Sequence, residues 1–154
     1  MRKMLLSFKP EVYEKIKSGK KIFEYRKNFP NEPIMAYMYV SAPVKAVTGI
    51  VYLGKRHLLS DWKETFKDDK DAVVRIGQYG ESYQYAMEIM EFQETTSVSL
   101  DDLRRDVQGF VAPQMYVYLD GTALLNYIEK HITYKEKNVT NTFECIKSEE
   151  ICVH

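Results

Sequence analysis

The apolar residues of this chain come in short runs, and that limits the folds open to it. Residues 4–8, 34–40 and 46–53 are each of strand length, rich in β-branched and aromatic side chains, with turn signals between them. Residues 83–92 make a longer strand candidate, with Tyr83, Tyr85, Met87 and Ile89 on one side. Residues 115–119 are expected as a final core strand. Short helices fit between these runs. One spans 10–18, with Pro10 at its first position and Gly19 to end it. Others are expected at 60–66 behind a Ser60 cap, at 69–79, at 100–107 behind a Ser99 cap, and at 122–132. Gly49, inside a strand, marks a bend, a bulge or a close backbone approach. Strands and helices do not alternate regularly enough for a doubly wound sheet. The pattern predicts an α+β fold, mainly β: a small, mostly antiparallel β-barrel with short peripheral helices.

With 154 residues, of which 45% are hydrophobic and 13% aromatic, the chain can bury a core and is too apolar for a disordered protein. One domain over 1–132 is expected, followed by a polar extension or tail over 133–154. No apolar run approaches the roughly 18 residues of a membrane span, so no membrane contact is expected. The apolar stretch after Met1-Arg2-Lys3 ends at Lys9, too early for a signal peptide, which leads to the expectation of a cytoplasmic protein. Cys145, Cys152 and His154 fall short of a four-ligand zinc set, and the nucleotide, P-loop, nucleophile-elbow and zincin motifs are missing. No metal and no cofactor are expected.

Lys+Arg and Asp+Glu number 22 each, which excludes a general polyanion binder. The neutral total hides an asymmetry. Residues 1–29 carry nine basic side chains against Glu11, Glu14 and Glu24. Such a cluster either makes a solvated face, with Glu11 and Lys15 as an i,i+4 ion pair, or a local field that attracts an anion.

Within the basic region, Ser18-Gly19-Lys20-Lys21-Ile22-Phe23-Glu24-Tyr25-Arg26-Lys27 stands out. A helix stops at a glycine, a lysine follows the turn, and a strand begins. Its period puts Phe23 and Tyr25 on one face and Glu24 and Arg26 on the other, the latter pair rooted roughly 6.5–7 Å apart. Glu24 can accept a proton or hydrogen bond while Lys21 and Arg26 hold an anion beside it. A lateral salt bridge on a charged strand is the plainer reading. Lys9, a poor residue for a helix cap, agrees with a ligand role.

Five segments occur here in the order seen in one family. They are Leu5-Leu6-Ser7-Phe8-Lys9-Pro10; Gly19-x-Lys21-x-x-Glu24-x-Arg26; Tyr39-Val40-Ser41-Ala42-Pro43-Val44; Gly49; and Ala112-Pro113-Gln114-Met115-Tyr116. In this the chain resembles the ASCH (activating-signal-cointegrator homology) family of the PUA-like superfamily, over residues 4 to about 120. The family commonly reads L-S-I-K-P, G-x-K-x-x-E-x-R, Y-x-T/S-x-P-V and P-P-Q-S-F at these places. The chain departs from it at Ala112, and at Met115-Tyr116, where no serine hydroxyl stands.

The resemblance implies a PUA-like barrel whose cleft, lined by the G-x-K-x-x-E-x-R segment, handles RNA or a modified nucleoside. Relatives that hydrolyse acetylated cytidine use a lysine matched by Lys21, but Glu24 occupies the place of their threonine. Relatives that cleave RNA use tyrosine, lysine and serine, residue types that Tyr39, Lys45 and Ser41 could supply. The leading expectation is a module that binds RNA or a nucleotide. Lys9, Lys21 and Arg26 would take the anion, Glu24 would orient Arg26 or accept a base N–H, and Tyr39, Ser41 and Gln114 would complete the rim. The other readings are a hydrolase in the same cleft, with Lys21 and Glu24 catalytic, and a protein-interaction module using an aromatic edge strand. Under the first reading, alanine at Lys21 or Arg26 is expected to leave the melting temperature nearly unchanged.

Overall fold

The structure is a computed structural model describing all residues, Met1–His154. Its frame is a seven-stranded sheet. The strands are β1 (Arg2–Phe8), β2 (Phe23–Arg26), β3 (Ile34–Val40), β4 (Ala46–Leu58), β5 (Tyr85–Ser99), β6 (Tyr116–Tyr118) and β7 (Tyr134–Thr140). They run in the order β2-β5-β4-β3-β1-β6, with β7 also paired to β5. Only β1 and β3 pair in parallel; all other neighbours are antiparallel. The sheet curls into a half-barrel, with helices α1 (Pro10–Lys17), α2 (Leu59–Thr65), α3 (Lys70–Gly80), α4 (Leu100–Asp106) and α5 (Ala123–His131) around it. The α+β, mainly β expectation is the fold observed. No helix is long and apolar enough to cross a membrane.

Both faces of the sheet are buried, and strand alternation divides β3 between them. Ile34, Ala36, Met38 and Val40 join Met4, Leu6 and Phe92 in one core, which Tyr13 and Ile16 of α1 also enter. Tyr37 and Tyr39 face the other way, with Leu5, Ile50, Leu103 of α4 and Ile128 of α5. A third core packs Phe23 and Tyr25 of β2 against Trp62 of α2, Ile76 of α3 and Ile151.

The long strands β4 and β5 curl because their register slips between Val47 and Gly49, Tyr52 and Leu53, and Leu53 and Arg56. Gly49 is a point of close approach. A Cβ there would lie 3.0 Å from the Phe92 ring, 3.3 Å from the Tyr13 ring and 3.4 Å from the Gln93 carbonyl.

Three expectations are corrected. Leu58, not Ser60, stands at the cap of α2, without a side-chain hydrogen bond. Tyr83 precedes β5 rather than lying in it, while Tyr85, Met87 and Ile89 do share one face. The 115–119 run is a three-residue edge strand with Met115 and Val117 exposed, because it pairs only with β1. The barrel is open, because no ladder joins β2 to β1. The 133–154 segment adds β7 and then returns to the body, where Ile151 and Cys152 are buried.

Two measurements follow from the packing. Gly49→Ala pushes a methyl into two ring edges and is expected to cost about 1–3 kcal/mol, read as a lower melting temperature. Burial pushes the Cys152 thiol up to about 11. The unfolded chain therefore releases this proton first, and the thiol's contribution is complete below its ordinary value of 9.0 and lost as pH rises through about 11. Urea melts across that window should show Cys152→Ala losing less stability than the parent.

Candidate functional site

The site forms where the half-barrel fails to close. β2 ends one side of the sheet path and β1 lies near the other, so a seam runs between them. Arg26, last residue of β2, bridges it: its Nη2 donates to the Ser7 carbonyl of β1 at 2.8 Å. Its guanidinium also lies 5.4 Å from the Phe8 ring centroid.

Local sequence chemistry delivers the other groups. Lys9 stands at the cap position of α1, with φ −71° and ψ 149°; its ammonium, a donor only, cannot accept from the helix N–H groups and makes no ion pair. Pro10 starts the helix with no N–H to satisfy. Gly19, at φ 81°, lets the chain reverse, and the Lys21 N–H then bonds back to the Lys15 carbonyl at 3.0 Å. From there β2 alternates as expected, with Phe23 and Tyr25 to the third core and Glu24 and Arg26 to the seam.

Glu24 is the hub. It is 5% exposed, and its Oε2 accepts from Arg26 Nε at 3.1 Å and Nη2 at 2.9 Å. Its Oε1 lies 3.6 Å from Lys21 Nζ. Lys21 is also 5% exposed and donates to the His154 carbonyl oxygen at 2.9 Å, over the Tyr25 ring. Burial pulls the Lys21 pKa down, against the opposing pull of Glu24. Burial pushes the Tyr25 phenol up; its oxygen accepts the Cys152 N–H at 2.7 Å.

These groups border an open cleft of about 680 Å³. Lys9, Lys21, Glu24, Arg26, Ser41 and Gln114 all line it, so six of the seven residues singled out from sequence come together. Tyr39 does not. It is 4% exposed in the core under α4 and α5, because β3 alternation turns it away from Val40 and the seam. Ser41 reaches the cleft because the chain turns after Val40. Of the set Tyr39, Lys45 and Ser41, only Ser41 is present; Lys45 is exposed in the following turn, at φ 50°. Glu11 lines the cleft instead of pairing with Lys15.

The sequence reading missed the wall contributed by α3 and the loop after it. Tyr79 packs 4.8 Å from Tyr25, centroid to centroid, and 6.1 Å from Tyr83, which lines the cleft and is 39% exposed. Gln78 and His154 also line it. No local pattern ties these residues to 21–26. Burial and the neighbouring lysines pull the His154 pKa down. Among lining acids and bases, Lys9, Lys21 and Arg26 exceed Glu11 and Glu24 by one charge. Such a site suits one anionic group beside a flat ring, not a long polyanion.

No family model matches the chain. It is 27% identical over 130 residues to a Zymomonas mobilis protein named ASCH domain-containing ribonuclease, over 77% of this chain and 84% of that one. The crystal structure of ASCH from Zymomonas mobilis aligns with a TM-score of 0.65 at 21% identity, covering 86% of this chain and 96% of that one. A mutant form of the same protein aligns at 0.66, covering 86% and 97%. The chain is thus similar in sequence to one ASCH protein and shares its fold. In this chain the G-x-K-x-x-E-x-R segment is a helix stop followed by an edge strand along the seam.

Burial overturns the expectation that Lys21 and Arg26 can be exchanged at no cost in stability. Glu24→Gln leaves two cations facing each other without their shared counter-charge. It is expected to destabilise by about 3–5 kcal/mol in urea melts, whereas exposed Lys9→Ala should change stability by under about 0.5 kcal/mol.

Proposed function

We propose that this chain binds single-stranded RNA, or a nucleotide within it, in the cleft at the barrel seam. The observation that carries the reading is the convergence of Lys9, Lys21 and Arg26 on one cleft whose mouth holds the exposed Tyr83 ring. A phosphate sits at Lys9 and the outer edge of Arg26, and a base stacks on Tyr83, the two interactions by which proteins hold unpaired RNA. Gln114 and Gln78, each both donor and acceptor, reach the base edge. Glu24 acts as the positioning residue that holds Arg26 and Lys21 in place. The name of the Zymomonas mobilis relative supports RNA as the ligand class. The small charge surplus favours a footprint of a few nucleotides.

The same name favours a second reading, in which the bound strand is cut. Lys21, whose ammonium burial already disfavours, would then take the proton from the attacking hydroxyl. Hydrolysis of an acylated nucleoside would use the same lysine.

Fluorescence anisotropy with short labelled RNAs tests binding. Lys9→Ala should weaken it and reduce the log–log salt slope by about 0.7, the share of one phosphate contact on a single strand. Tyr83→Ala should cost about 1–3 kcal/mol of binding at unchanged stability. RNA affinity equal to wild type in both variants sinks the proposal. Incubation of the same RNAs and of N4-acetylcytidine with wild type and Lys21→Met separates the readings: product formed only by wild type supports catalysis, and no product leaves the binding module.

A further inference from the structure

A second depression lies on the far side of Tyr83. It has a volume of about 460 Å³ and runs between α2 and α3, bordered by Ser60 and Lys63 on one side and Gly77 and Gly80 on the other. Tyr83 lines both this groove and the seam cleft, so the two meet at one ring.

The glycines are the unusual feature. Gly77 lies inside α3, where glycine costs about 1 kcal/mol relative to alanine, and Gly80 is the last residue of the helix. Crowding does not require them, since a Cβ built at either would meet nothing within 4 Å. Their effect is to leave bare helix backbone as the groove floor, open to close approach by another molecule. Across from them Lys63 makes no ion pair and the Ser60 hydroxyl no hydrogen bond, although the salt-bridged Lys67 and Glu64 stand close by in sequence. Glu81, also on the border, balances Lys63, so the groove carries no net charge and offers a phosphate one lysine and one hydroxyl.

We infer that this groove is the next nucleotide subsite of the same RNA strand, resting on the reading of the seam cleft as an RNA site. The strand passes over Tyr83, its next phosphate meets Lys63 and Ser60, and its sugar or base lies against the Gly77–Gly80 face. Tyr83 then separates two nucleotides and contacts both. The footprint grows without a larger basic surface, in keeping with a chain of zero net charge.

The test compares two RNA lengths, a dinucleotide that fits the seam cleft and a labelled six-nucleotide strand, against wild type, Gly77→Leu and Lys63→Glu. Leucine fills the groove while improving helix propensity, so weaker binding cannot be blamed on unfolding; a melting temperature at or above wild type checks this. Both variants are expected to bind the longer strand at least fivefold more weakly and the dinucleotide as wild type does. If wild type binds both RNAs and both variants match it on each, the groove is not a subsite and the cleft reading stands. Equal weakening of the dinucleotide also overturns the subsite. If wild type binds neither RNA, the cleft reading fails and takes the subsite with it.

Discussion

A carboxylate taken out of water costs several kcal/mol unless cations meet it with good geometry, and Glu24 is met twice. Arg26 closes two hydrogen bonds on one oxygen, and Lys21 lies against the other. The triad is more than a local pair, because Arg26 also donates to Ser7 across the open side of the half-barrel. β2 is held against β1 by one guanidinium instead of a hydrogen-bonded ladder. The cleft exists because of this substitution: a closed ladder would leave no gap, and a missing arginine would leave the gap unsupported.

The same geometry sorts the cations by task. Lys21, buried, ion-paired with Glu24 and hydrogen-bonded to the His154 carbonyl, has little freedom to follow a ligand. Arg26 is divided between bracing the seam and facing the cleft. Lys9 has no partner and sits on the rigid start of a helix, so it can answer to a guest alone. A ligand therefore meets a prepared wall rather than a set of mobile side chains, which lowers the ordering cost of binding. The C-terminal segment is part of that wall. Cys152 meets the Tyr25 hydroxyl, and His154 meets Lys21.

Much of the site was legible because its chemistry is local. A glycine that ends a helix, a lysine after the turn and a strand with acid and base two residues apart put Glu24 and Arg26 on one face, and the resemblance to the ASCH family marked them and Lys21 as a site. The proline after Lys9 likewise specified an uncapped helix start. Tyr39 was misplaced because the order of motifs cannot say which face of β3 looks toward the seam. Tyr79 and Tyr83 were missed because a loosely patterned helix far along the chain carries no sign of what it will pack against.

The sequence by itself determined the element types up to residue 132, the mainly β class and the pairing of charges on β2, since each follows from the side-chain period of a few consecutive residues. Tertiary structure alone decided that the barrel stays open between β1 and β2, that α3 supplies the aromatic wall, and that 148–154 folds back beside Lys21. Those outcomes rest on contacts between residues far apart in the chain, 19 positions for Arg26 with Ser7 and 127 for Tyr25 with Cys152. Their energies depend on burial and register in the assembled sheet, which no short stretch of chain contains.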